Sequence, residues 1–431
     1  MKHTISVLLA ICLLLNMILT LTGCGKESPL NPKNPVTLTL WHNYGGIMQT
    51  SMDQLVEKFN DTEGKKLGVI INVESVNSSS VLQEKLMAAA NEDPGAPHLP
   101  DITTCYPKIA IILAKKGLLA DLDKYFTEEE LSAYVPSFIE EGRMDGTLYV
   151  FPIAKSTEVL FVNQTLFDRF AAETRVSIDS LSTFEGLLDT ASIYYEWTDG
   201  LTPDTEGDGK PFYMSDSLFN LMQVGIEQLG DTFVMNESLN TESKAYQYIY
   251  NLFHEAVEEG YLAVHKGYSS DLQKTGDIIT STGSTAGILY YGYSVTYSDN
   301  TKEDVEYSIL PYPIFEGGRK VAIQRGNGMI VTASSEQKEY AAALFLKWFT
   351  KMEHNMQFIS QTGYLPVTNE AFAAVMDRNY TTPTDENICK LLDTAVKMHK
   401  EYNFYIPPVF DDLDSMGKVW QNEFYDSATS E

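Results

Sequence analysis

The chain has 431 residues, a net charge of -28, and 44 % hydrophobic residues. That length holds two domains of ordinary size beyond an N-terminal leader. The acidic balance argues against nucleic acid as a partner and against direct adhesion to anionic lipid, and it carries no implication of a basic ligand.

Lys2 and His3 precede an apolar run from Ile5 to Leu21, which ends in Leu21-Thr22-Gly23-Cys24. A short basic region, an apolar core and small residues before a cut describe a secretory signal over residues 1–23, not a permanent span. The LTGC ending resembles a bacterial lipobox, in which Cys24 is lipidated and becomes the first mature residue, leaving a charge of -29 once Lys2 is gone. Residues 24–35 are polar and proline-rich and read as a flexible tether. Cys105 and Cys389 have neither metal nor redox spacing and are expected to be small buried apolar residues rather than a disulfide.

Val36 to Trp41 alternates at period two and predicts a first strand, with His42 to Gly46 as the following turn and Ile47 to Asn60 as an amphipathic helix. Leu67 to Val76 predicts a second strand, Val81 to Ala90 a second helix, Asp101 to Thr104 a third strand, and Ile109 to Lys116 a third helix. Strands alternating with helices define an open α/β sheet, whose ligands bind beyond the carboxyl ends of the strands. That rule selects Tyr44 in the first turn, Gln83 near a helix start, and Tyr106 after the third strand. Helices follow over 183–195, 218–229 and 243–259. The loop from Thr198 to Lys210 carries Asp204, Glu206 and Asp208 at alternating positions and reads either as a calcium loop or as a solvated one. From Lys338, Tyr340, Leu344, Trp348 and Met352 recur every four residues on a helical face that meets no glycine or proline before Gly363. Tyr364-Leu365-Pro366 must then leave the helix, because a residue before proline is pushed out of the α region.

No catalytic motif stands out: HExxH, GxSxG, GxxxxGK[ST] and the dinucleotide fingerprint are all missing, and no histidine pair has metal-ligand spacing. No cofactor and no metal are expected. The 25 Tyr, 20 Phe and 4 Trp are enough for both cores and a stacking surface.

Four segments, in this order and spacing, carry a resemblance: LTLWHNYGG, DITTCYPKIAIILAKKGLLADL, FPIAKSTEVLFVN and QTGYLPV. Together they resemble the extracellular solute-binding proteins that serve sugar importers of the ATP-binding-cassette type, especially the glycerol-3-phosphate and maltodextrin binders. The resemblance implies a periplasmic-binding-protein-like α/β fold of two discontinuous lobes with a ligand cleft between them. It assigns residues 36–153 plus 308–346 to the N-terminal lobe and 154–307 plus 347–431 to the C-terminal lobe. The chain would leave the first lobe near Pro152, start a strand of the second at Val159, and return through Glu306–Pro311. The expected ligand contacts are Tyr44, Gln83, Tyr106, Ser156, Glu158, Phe212 or Tyr213 as a stacking ring, Ser281, Ser284, Gly326, Gly328, Tyr364 and Phe410. The segment from Tyr405 to Trp420 lacks the arginine with which a phosphate would be gripped, and Lys155 reads either as a substitute charge or as a solvated lysine of the crossing. The implied protein is a monomeric, lipid-anchored, extracytoplasmic capture protein for a carbohydrate or polyol derivative, with a membrane permease as partner. A ligand-presenting sensor or adhesin and a secreted glycoside hydrolase are the alternatives.

Overall fold

A computed structural model describes residues 28–76, 78–410 and 412–429. The expected signal and Cys24 lie outside these residues. In chain order the first elements are β1 (Val36–His42), α1 (Gly46–Phe59), β2 (Val69–Ser75), α2 (Ser79–Ala90), β3 (Ile102–Cys105), α3 (Pro107–Lys115), α4 (Pro136–Glu141) and β4 (Phe151–Ser156). Then follow β5 (Glu158–Asn163), β6 (Tyr213–Ser215), α5 (Leu218–Gln228), β7 (Thr280–Ser284), β8 (Tyr307–Leu310), β9 (Val321–Ile323) and β10 (Arg325–Val331). The last are α6 (Glu336–Phe349), α7 (Met352–Thr362), α8 (Glu386–Glu401), β11 (Asn403–Tyr405) and α9 (Leu413–Thr429).

Two sheets define two lobes. The first has the order β2-β1-β3-β10-β4, with β1 parallel to β2 and β3, and β10 antiparallel to β3 and β4. The second has the order β8-β5-β7-β6. β4 and β5 are buried at every position, as near-continuous apolar runs covered on both faces must be. Aromatic side chains fill both interiors: Phe59 meets Phe345 and Trp348 edge-on in the first lobe, and Phe170 meets Tyr194 edge-on in the second.

Thr157 is the single residue between β4 of the first sheet and β5 of the second. The return crossing lies at Gln324, between β9 and β10, and the Thr157 hydroxyl donates to the Ile323 carbonyl at 2.7 Å, so the two crossings run side by side. A third approach follows α7, where the Leu365 N–H donates to the Lys155 carbonyl at 2.6 Å.

Several expectations are corrected here. Tyr307–Leu310 pairs with β5 and belongs to the second sheet, so the chain returns some fifteen residues later than the expected segment Glu306–Pro311. The helix expected to run on to Gly363 is two helices, both packed on the first lobe, and the boundary placed at residue 347 is therefore too early. The break needs no proline or glycine: Lys351 turns out to φ -55°, ψ 141°, while the Thr350 hydroxyl is shared between the Leu346 carbonyl and Tyr134. Part of the expected tether is seated on the fold, with Leu30 packed against the core and Pro29 accepting from the Gln337 amide. Cys105 is a buried free thiol, pushed by burial up to about 12, whereas Cys389 is a half-buried free thiol.

Candidate functional site

Between the lobes lies a cavity of about 580 Å³, a volume suited to a small solute. Ser79, Gln83, Tyr106, Lys108 and Glu141 face it from the first lobe. Ser217 at the N-cap of α5 and Phe219, Asn220 and Gln223 within it, with Phe410, Asp414 and Lys418 near the start of α9, face it from the second. Ile323 to Gly326, the return crossing, forms its floor.

Local sequence explains the placement. Pro107 occupies the first turn of α3, so Tyr106 is held extended at φ -85°, ψ 149°, at the carboxyl end of β3. Gly326 has φ +95°, and a Cβ there would lie 2.7 Å from the Ala154 carbonyl oxygen, so only glycine lets β10 pass β4 at the crossing. Gly328 is glycine for packing: a Cβ would sit 2.5 Å from the Phe151 carbonyl oxygen.

Arg325 donates to the Glu158 carboxylate at 2.8 Å, and the Asn220 amide donates to the same oxygen at 2.8 Å. Burial pushes the Glu158 carboxyl up, and the Arg325 charge pulls it back. The other oxygen, Oε2, is buried with no hydrogen-bond partner among the described residues. Lys155 is neither solvated nor turned to the cavity; its Nζ is 2.6 Å from Glu141 Oε2, and both side chains are buried. At the rim, Lys108 pairs with Asp414, joining the start of α3 to the start of α9 across the cleft.

Of the residues expected from sequence, Gln83, Tyr106, Gly326 and Phe410 line this cavity. Glu158 stands behind it, holding Arg325. Tyr364 is close by: burial pushes its hydroxyl well above the usual range, with the Tyr106 hydroxyl the next cause, and its ring lies 6.0 Å from Tyr44. Tyr44 itself is buried and donates to Asn327 at 3.0 Å. Ser156 is buried in β4 opposite Arg325. Ser284 ends β7, half-buried and off the cavity wall. Phe212 and Tyr213 are corrected: both are fully buried in the second lobe, Phe212 against Phe167, Phe170 and Tyr194, and Tyr213 sharing a 2.6 Å hydrogen bond with Thr282. Neither reaches the cavity. Ser281 is likewise internal, hydrogen-bonded to Gln273 and Tyr291.

Arg325, Asn220, Gln223, Lys108 and Asp414 were not selected from sequence. Arg325 had a legible signal, since a charged residue stands directly before a glycine already chosen for the site. The acidic loop closes on itself, with the Asp199 carboxylate accepting from the Gly207 and Asp208 N–H groups at 2.7 and 2.8 Å. No group of three or more His, Cys, Asp or Glu among the described residues is placed to hold a metal ion.

Two α/β lobes of discontinuous chain, crossed side by side and enclosing a polar and aromatic cavity, define a two-lobed ligand-binding protein. The chain belongs to the bacterial extracellular solute-binding protein family, whose model matches residues 54–384. It is 22 % identical over 363 residues to the sn-glycerol-3-phosphate-binding periplasmic protein UgpB of Salmonella typhimurium, covering 80 % of this chain and 77 % of that one. Its fold is similar to that of the cyclic alpha-maltosyl-1,6-maltose binding protein from Arthrobacter globiformis (TM-score 0.71, 19 % identity, 92 % of this chain and 94 % of that one). It is also similar to that of UgpB from Mycobacterium tuberculosis in complex with glycerophosphocholine (TM-score 0.70, 18 % identity, 92 % and 94 %). The family is one of extracytoplasmic binding proteins rather than enzymes.

Proposed function

We propose that the protein captures a carbohydrate or polyol derivative in the interlobe cavity and delivers it, chemically unchanged, to an import permease of the ATP-binding-cassette type. The observation that carries this is the composition of the cavity wall. Rings at Tyr106, Phe219 and Phe410 alternate with amides and hydroxyls at Gln83, Asn220, Gln223, Ser79 and Ser217. Sugars and polyols present flat C–H faces to rings and hydroxyls to amides, so both halves of the wall have a counterpart on the solute. The ligands named for the similar proteins, maltosyl sugars and glycerol phosphates, support the same class.

Capture from both walls favours the closed arrangement of the lobes, because a ligand stabilises the state in which it makes more contacts. Anchoring through a lipid on Cys24 would keep the protein at the outer face of the membrane beside its permease. A thermal-shift panel of mono- and oligosaccharides, polyols and glycerophosphodiesters tests the reading. A true ligand at a hundred times its dissociation constant adds about 2.7 kcal/mol of stability. Tyr106→Ala is expected to weaken that ligand by about tenfold, or about 1.4 kcal/mol, and no response across the panel would overturn the assignment.

A further inference from the structure

We propose that Arg325 is the anion anchor of the cavity and that the captured solute carries an acidic group, a phosphate ester or a carboxylate, seated on its guanidinium. This rests on the reading of the cavity as the ligand site. The C-terminal segment 405–420 has no arginine, but the floor of the cavity has one. A guanidinium has five N–H donors in a planar fork. Arg325 donates to Glu158 through Nη1, and its side chain is 38 % exposed, which leaves donors open to a planar or tetrahedral anion.

The surrounding field has the same sign. Four helices of 12, 9, 11 and 17 residues (α2, α3, α5 and α9) turn their first turns or caps to this space, through Ser79, Lys108, Ser217 and Asp414. Each helix start carries partial positive charge and N–H groups suited to anions. The acids on the wall are already engaged, Glu141 by Lys155 and Gln324, and Asp414 by Lys108. In a chain of net charge -28 this is a local departure, and the helix starts alone would not make a site. What makes it one is a cation held in place: Glu158 is 1 % exposed and stands behind the wall, where its Oε1 accepts from Arg325 and fixes the guanidinium at the cavity floor.

Calorimetry on the purified protein with matched probes tests this: glycerol-3-phosphate against glycerol, glucose-6-phosphate against glucose, and glucuronate against glucose. At least one acidic probe is expected to bind about tenfold or more tighter than its neutral partner, with the ratio shrinking as salt rises. The phosphate and carboxylate arms then tell which acid it is. Arg325→Gln combined with Glu158→Gln removes both charges without stranding a buried carboxylate, and is expected to abolish the acid-over-neutral ratio. Glu158→Gln alone is expected to raise that ratio, because the guanidinium is no longer neutralised. Neutral probes binding as tightly as acidic ones, or a ratio that survives the double substitution, would overturn the anchor while leaving carbohydrate capture intact. No binding of either kind would overturn both.

Discussion

Lys155–Glu141 and Arg325–Glu158 are ion pairs of similar length, 2.6 and 2.8 Å, in which Lys155 and Glu158 flank the first crossing and Arg325 follows the return crossing, yet they differ in what each leaves uncovered. In the first, both side chains are buried, 4 % and 8 % exposed; in the second, the carboxylate is buried and the guanidinium is 38 % exposed. In the enclosed pair the charges satisfy each other, so Glu141, although it faces the cavity, offers a ligand no free charge. A half-enclosed one uses its buried member to orient a cation toward solvent. The contrast teaches that exposure of the second partner, not proximity to the cleft, separates a structural charge from a binding one.

The largest effect should come from breaking the enclosed pair. Lys155→Met strands the Glu141 carboxylate in a buried site and is expected to cost about 3–5 kcal/mol of stability, measured by urea unfolding. In Lys155→Met combined with Glu141→Gln, which removes both charges, acid-over-neutral selectivity of the folded protein should be unchanged. Loss of selectivity with stability intact would reverse the roles assigned to the two pairs.

The difference between these pairs was not legible in the sequence, and the reason is physical. Patterns within one segment were readable: the alternation of Val36–Trp41, the apolar stripe beginning at Tyr340, and the turn forced by Pro366. Cavity walls are built by contacts across long separations, such as Lys108 with Asp414 and Glu158 with Arg325, which no local period records. Rings misled for a related reason. Phe212-Tyr213 and Tyr106 both lie beside a proline near a strand, but Phe212 packs against Tyr194 and Tyr213 bonds to Thr282 inside the second lobe, while α3 begins after Tyr106 and leaves it at the cleft. Order and spacing of motifs made the family readable; burial, which decides the role of each ring and charge, came only with the packing.

The next effect sharpens the contrast at the third crossing, which holds through shape rather than charge. Gly363 has φ +71°, and a Cβ there would meet Ile288 Cγ2 at 2.3 Å and the Thr285 carbonyl oxygen at 2.8 Å. Gly363→Ala should therefore destabilise by about 1–3 kcal/mol through backbone strain and overpacking. Equilibrium unfolding measures it, and a change under about 0.5 kcal/mol would show that the turn yields freely.

A smaller effect concerns a buried group kept neutral. His354 stacks on Trp348 with centroids 3.8 Å apart, and burial, followed by the Lys58 charge, pushes its pKa down to about 4. Between pH 6.5 and 4 the unfolded chain takes up this proton and the folded one does not, so stability falls as pH drops through that window. Allowing for solvent screening, the contribution is on the order of 1 kcal/mol. His354→Gln should lose less stability between pH 7 and pH 5 than the parent, and parallel curves would remove His354 from the account.

The smallest effect is the most informative about motion. Lys108 and Asp414 are 33 % and 53 % exposed, and such surface pairs contribute about 0.2–1 kcal/mol. This pair joins helices α3 and α9 of different lobes at the rim, away from the crossings where Arg325 meets Glu158, so its energy enters only the arrangement in which the lobes are close. Removing about 0.5 kcal/mol changes a closed-to-open ratio by about twofold, a shift too small for unfolding but readable as a distance between labels on α3 and α9. Lys108→Ala should widen the unliganded protein at low salt and leave it unchanged at high salt, where the pair is screened in the parent as well. An identical distance distribution at low salt would mean that the crossings alone set the separation of the lobes.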